Sequence, residues 1–168
     1  MWPATARTVR FWVFSILLPI LPDADVFMFR FGIPYGHWLG HRGLFHSLPF
    51  ALFLSLLVVL LFFGNERRFS WRWFALVGYF FLLTGSHGLL DALTDGGLGI
   101  ALLAPFDNTR YFFPWRPILV SPIGLQNFLT DWGACVMLNE MLWIWLPVGV
   151  IVLVSRFVSR RSGLPFRN

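Results

Sequence analysis

Four apolar runs divide the sequence. The first extends from Val9 to Leu21 and contains Pro19; it is shorter than the ~20 residues a helix needs to cross a bilayer, so a tilted, re-entrant or broken segment is expected. The second runs from Ser47 to Phe63 and stops at Gly64-Asn65. The third covers Trp73 to Leu93, and the fourth Val136 to Val154. Between the third and fourth, Thr94 to Ala134 carries Asp95-Gly96-Gly97, Pro105-Phe106-Asp107 and Tyr111-Phe112-Phe113-Pro114-Trp115-Arg116-Pro117. Proline and glycine at this density exclude one long helix. The segment reads either as an aromatic cap in the headgroup layer or as an ordinary interfacial loop. The pattern predicts an all-α, polytopic membrane protein, one domain over residues 1–168, with four membrane segments and an irregular aromatic-rich connection.

Composition sharpens this picture. Of the 168 residues, 57% are hydrophobic and 12% charged, about half the charged fraction of a soluble domain. The 20 Phe and nine Trp point the same way, because aromatic side chains favour membrane interfaces. Arg7 and Arg10 followed by Phe11 to Leu21 resemble a secretory leader, but Pro22-Asp23-Ala24-Asp25 follows where a small-residue cleavage site would stand, so a retained segment is expected. Cys135 is the single cysteine, which excludes an internal disulfide.

Charge sets the orientation. All 13 basic residues are Arg. If all four segments cross, one side holds Arg7, Arg10, Arg67, Arg68, Arg72, Arg156, Arg160, Arg161 and Arg167, with Glu66 as its one acid. The other side holds Arg30, Arg42, Arg110 and Arg116. The excess places both termini in the cytoplasm. All four His and the remaining seven acids then face the opposite side. The basic tail from Ser155 to Asn168 suits anionic lipid, and no nucleic-acid partner is expected.

Three polar clusters converge on that opposite face. Asp23 and Asp25 end the first apolar run; alone, they read equally as solvated acids at a helix stop. His41 and His46 lie just before the second run, separated by Gly43, which permits a sharp turn. Five residues apart, they do not align on one regular helix, so His41 is expected before the helix and His46 in its first turn. His37 is expected to be structural. In the third run Thr84, His87, Asp91 and Thr94 stand at i, i+3, i+7 and i+10, which makes one polar stripe on a helix. That stripe suits metal ligation, a buried His–Asp hydrogen bond, or a proton relay.

Asp25, His41, His46, His87 and Asp91 are the candidate metal ligands, with Asp23 as candidate general base. Nitrogen and oxygen ligands without thiolate suit zinc, with manganese and iron also compatible. Such a metal acidifies a bound water and polarises the bond to be cut. Arg42 and Arg116 are candidates to hold a phosphate through paired hydrogen bonds. The competing reading is a non-catalytic transporter or regulator whose stripe carries protons or fixes helix packing.

Leu-Pro-Asp-Ala-Asp at 21–25, Gly-His-Arg-Gly-Leu-Phe-His-Ser at 40–47 and Ser-His-Gly-Leu-Leu-Asp-Ala-Leu-Thr at 86–94 resemble, in this order, the YdjM-type (LexA-binding) bacterial inner-membrane-associated, metal-dependent hydrolases. The stretch from Arg110 to Gly124 resembles a subgroup of them. That family is in turn similar to the zinc-dependent phospholipases C and the S1/P1 nucleases, which are helical and use His/Asp zinc clusters. The order there, Asp, His, then His-x-x-x-Asp, matches Asp25, one histidine of the 41–46 pair, His87 and Asp91. The resemblance implies a zinc site, hydrolysis of a phosphoester such as a phospholipid, and residence in the bacterial inner membrane. Members often begin with an extra apolar segment preceded by Thr-His, whereas this sequence has no His before His37. If that His helps to hold a second metal, a single metal is expected here.

Overall fold

The computed structural model describes residues 8–161; Arg7 and Arg167 of the charge count lie outside them. The first three apolar runs become helix where a hydroxyl side chain caps them. Thr8 accepts a hydrogen bond from Phe11 N and opens α1, Val9–Leu17. Ser47 accepts from Phe50 N at 3.2 Å and opens α2, Leu48–Phe62, with Pro49 in the first turn, where a missing N–H costs nothing. Ser70 accepts from Trp73 N at 3.3 Å and opens α3, Trp71–Ala92.

The first run is broken, as its length and Pro19 foretell. α1 stops at Leu18, and after a short turn the chain continues as an eleven-residue 3-10 helix, Leu21–Phe31, which carries Asp23 and Asp25. The two pieces are bent by 49° and are apolar enough to cross a membrane only when taken together. α3 passes that test alone, as does the continuous helix Asp131–Arg160. α2 has 15 residues and rises ~22 Å, short of a ~30 Å hydrocarbon core. Over the described residues the protein is therefore all-helical, with two or three candidate spans instead of the four membrane segments, the first one short, that the sequence predicts. Among the described residues there is no sheet, only three isolated bridges.

Two compact units form. The first comprises residues up to 93 together with 97–115. Its core joins Phe11 and Leu18 of the first run, Val58, Val59 and Phe63, and Trp73, Leu76, Val77 and Phe80 of α3. Arg10 donates to Phe62 O, so the start of α1 lies beside the end of α2, and Tyr79 donates to Ser15. Along α3 the buried series Leu76, Phe80, Thr84, Gly88 and Ala92 keeps i, i+4 spacing, with large side chains in its first half and small ones from Thr84 onward. Ala51 and Ser55 of α2 are also buried and small, and Gly85 of α3 packs on Leu48 and Ala51. Small residues let two membrane helices approach closely. Outward, Leu52, Phe53, Leu61, Phe74 and Leu82 are exposed, as a lipid-facing surface requires.

Residues 97–115 are irregular, as expected, yet they also build core. Ile100 and Tyr111 exchange both backbone hydrogen bonds, at 2.9 and 3.0 Å. Ile100, Ala101 and Ala104 are buried, and Leu48 N donates to Leu102 O. Phe106 at the tip is 85% exposed, which suits the headgroup layer.

The second unit comprises 94–96 and residues from 116 onward. Asp95 accepts from Val120 N, and the Asn139 amide donates to Pro117 O and accepts from Leu119 N. α4 is Leu125–Phe128, α5 is Asp131–Glu140, and one π-helical stretch, Met141–Trp145, joins α5 to α6, Leu146–Arg161. Thr94 and Arg116 belong to this unit, and Thr94 lies beyond the end of α3, so it does not continue the polar stripe.

Candidate metal centre

The site forms where three chain ends meet: the start of the 3-10 helix, the loop before α2, and the last turns of α3. Position 87 is four residues before position 91, so His87 and Asp91 share one face of α3; His87 Nε2 lies 3.7 Å from Asp91 Oδ2. His46 ends a 3-10 turn, Leu44–His46, one residue ahead of the Ser47 cap. It therefore precedes the helix instead of occupying its first turn, because the cap must come before the helix begins. His46 reaches His87 because Gly88 leaves its backbone uncovered. A Cβ on Gly88 would stand 2.4 Å from His46 O.

Four side chains present one atom each to a common centre: Asp23, His46, His87 and Asp91. From His46 Nε2 the distances are 3.4 Å to Asp23 Oδ1, 3.2 Å to Asp91 Oδ2 and 3.2 Å to His87 Nε2. His87 Nε2 is 3.2 Å from Asp23 Oδ1. Ligands on bonds of ~2.05 Å in a regular tetrahedron stand ~3.3 Å apart, so this donor set fits a zinc-sized cation.

A second group, Asp25, His41 and His46, adjoins the first through the other nitrogen of His46. Asp25 Oδ2 lies 3.1 Å from His46 Nδ1, and Asp25 Oδ1 accepts from His41 Nδ1 at 2.7 Å. Asp25 is completely buried and also accepts from Arg42 N at 3.2 Å. A neutral imidazole offers one lone pair and one N–H, so His46 can ligate through Nε2 only while Nδ1 donates. Asp25 stands where an orienting carboxylate stands behind a metal-bound histidine.

Arg42 is buried and sits in the left-handed backbone region, at φ +63°. The sharp turn expected at Gly43 thus falls one residue earlier; Gly43 is needed because a Cβ there would meet Trp38 O at 2.2 Å. The Arg42 guanidinium donates to Asp91 Oδ1 at 3.2 Å. Asp23, Asp25 and Asp91 carry three negative charges and Arg42 one positive, which leaves two to be balanced in a half-buried place. A divalent cation supplies that balance; without one, protons must. Burial alone would push the His46 imidazole down, but the carboxylates of Asp23, Asp25 and Asp91, 3.1 to 3.4 Å away, outweigh this and raise it to about 10.

Other predicted residues lie elsewhere. The Thr84 hydroxyl returns to Phe80 O on its own helix, and His37 accepts from Leu39 N within an exposed turn. Sequence reasoning missed Tyr35, Gly88 and, above all, Arg110. Arg110 opens the aromatic stretch that resembles a family subgroup, but it is one arginine in an irregular connection, and spacing alone gives it no partner.

The family model described as YdjM inner membrane protein matches residues 2–163. The chain belongs to this YdjM family. Inner membrane protein YbcI of Escherichia coli (strain K12) is 42% identical to it over 152 residues, which cover 88% of this chain and 83% of the relative. No solved structure matches it. This YdjM-family chain is thus an inner membrane protein, and its three His/Asp clusters, far apart in sequence, come together in a group able to hold a metal ion.

Proposed function

We propose that this YdjM-family protein is a membrane-bound, metal-dependent hydrolase of phosphoesters. The observation that carries the reading is the convergence of His46, His87 and Asp91 at distances close to those a single zinc ion would impose, with Asp23 beside them. In this reading His46, His87 and Asp91 hold the ion. Two His and one carboxylate are a ligand set that hydrolytic zinc sites use when one position stays open for water. A divalent cation bound there acidifies its water and polarises a phosphoryl oxygen.

Asp23 has the most exposed side chain of the four, at 53%, against 19% for His87 and Asp91 and none for His46. It therefore lies on the open side, where a carboxylate can take a proton from an attacking water. Asp25 and His41 hold His46 in one tautomer and orientation. Arg42 holds Asp91 through Oδ1, which leaves Oδ2 for the metal. Ile20, Leu21 and Phe27, within four residues of Asp23 in sequence, are exposed and suit a substrate that arrives with an apolar chain, as a phospholipid does. The orientation proposed is the one that Arg10, Arg67, Arg68 and Arg72 of the first unit favour: the 63–70 turn in the cytoplasm and the site on the other face.

The relay reading has less support. A proton path needs polar stations along the depth of the bundle. Ser55 and Thr84, the polar groups buried there, return their hydroxyls to Ala51 O and Phe80 O.

The test is metal content per chain, by elemental analysis of detergent-purified protein beside His87→Ala and Asp91→Ala. About one zinc, manganese or iron per chain, lost in both variants, is expected. No metal after repletion with all three would overturn the proposal.

A further inference from the structure

Arg110 is far from the metal group in sequence and touches none of its four side chains, yet the loop beside that group is organised around it. Its Nη1 donates toward His41 O at 3.2 Å, Arg42 O at 3.4 Å and Gly99 O at 3.3 Å. Its Nη2 donates to Tyr35 O at 3.1 Å and His37 O at 3.2 Å. The guanidinium also lies over the Tyr35 ring, which meets the His41 ring edge-on at 5.2 Å. Four of the five carbonyls belong to residues 35–42, and the fifth to the neighbouring 99–111 hairpin. The four Nη–H groups of an arginine lie in one rigid plane and are shared among these five carbonyls; a lysine ammonium has three on a flexible stem.

What this ring fixes matters for the metal. The residues whose carbonyls Arg110 holds include His41 and Arg42. From these two residues come the His41 hydrogen bond to Asp25, the Arg42 backbone hydrogen bond to Asp25 and the Arg42 side-chain hydrogen bond to Asp91. Asp25 faces His46 Nδ1, and Asp91 belongs to the candidate ligand set. The loop must also hold Arg42 at φ +63°, a conformation that an L side chain adopts only under constraint. Ala101 N donates to Arg42 O from the same hairpin, so Arg110 and Ala101 together clasp the peptide that carries this strain.

We infer that Arg110 is a positioning residue for the metal centre: it locks the 35–42 loop, and the loop aims Asp25 and Asp91. This rests on the metal reading above. The test uses the full-length protein in detergent, titrated with zinc against a chromophoric chelator. Arg110→Lys keeps the charge and loses the fork, and it should weaken zinc binding by ~10- to 100-fold, as changes behind metal ligands do. The wild-type protein gives a second measurement that does not depend on the variant's folding. Coupling is reciprocal, so if the clasp strengthens zinc binding, zinc must strengthen the clasp. Zinc should then slow hydrogen exchange across residues 35–44 and at Ala101.

Equal zinc affinity in wild type and Arg110→Lys, or no zinc effect on exchange in that loop, overturns the assignment of Arg110 and leaves the metal site standing. Failure of the wild type to take up zinc at all overturns the metal reading itself, and this proposal with it.

Discussion

Two carboxylates separated by a single alanine stand in different surroundings here, and substitution tests whether they do the different work proposed for them. Asp23 faces the open side and Asp25 is sealed behind His46. Asp23→Asn should keep its metal and lose hydrolysis of a chromogenic phosphodiester, because an amide cannot take up the proton. Asp25→Asn should instead weaken zinc binding ~10- to 100-fold, since it removes the charge that orients His46. Zinc titration and an activity assay on both variants check this; loss of metal in Asp23→Asn as complete as in His87→Ala would make Asp23 a ligand and not the base. Gly88→Ala probes the same place from the helix side. Its Cβ would meet the His46 carbonyl, which is backbone and cannot rotate away. We expect a loss of about 1–3 kcal/mol in stability and weakened zinc binding, read by thermal melting and titration. The pairing of His87 with Asp91 was legible from spacing alone. The need for Gly88 was not, because glycine is frequent in membrane helices and its meaning here depends on what another element places against it.

At the scale of elements, the breakers were the readable features. The Gly64-Asn65 stop and the proline-broken first run appear where the sequence puts them, because each acts on its own few residues; the Ser47 cap was not read, and His46 was expected inside the helix that it precedes. The 3-10 helix Leu21–Phe31 was not readable: eleven residues is long for that geometry, and only contacts from other elements hold Asp23 and Asp25 to their partners. The same limit explains the 97–115 segment, whose buried Ile100 and Ala104 look like any loop aliphatics in sequence. One cap permits a quantitative test. Ser47→Ala removes the acceptor for Phe50 N at the end of α2 that carries the site, and Ser47 is buried, so water does not replace it. The cost should be about 1–2 kcal/mol, seen as a lower melting temperature in detergent. A melting curve unchanged from wild type would mean that α2 is held by its packing alone.

At the scale of the molecule, function depends on which compartment the centre faces. Within the first unit α2 and α3 are joined by residues 63–70, and the His46–His87 contact lies at the opposite end of the pair. Arg67, Arg68 and Arg72 cluster at the joined end, together with Arg10, which reaches Phe62 O. The metal-site end also has cations, but Arg42 and Arg110 there are hydrogen-bonded inward to Asp91 and to carbonyls, which leaves the exposed Arg30 against four arginines at the joined end. Arginines that retain their charge at the surface are the ones that hold a loop in the cytoplasm, so the joined end should be cytoplasmic and the site extracytoplasmic. Asn65 and Asn108 are both exposed, one in the joining loop and the other in the 99–111 hairpin. In a Cys135→Ser background, Asn108→Cys should react with a membrane-impermeant maleimide on intact cells stripped of their outer membrane. Asn65→Cys should react only after the inner membrane is permeabilised. The reverse pattern would turn the centre toward the cytoplasm, and the search for its substrate would move to phosphoesters made and consumed there.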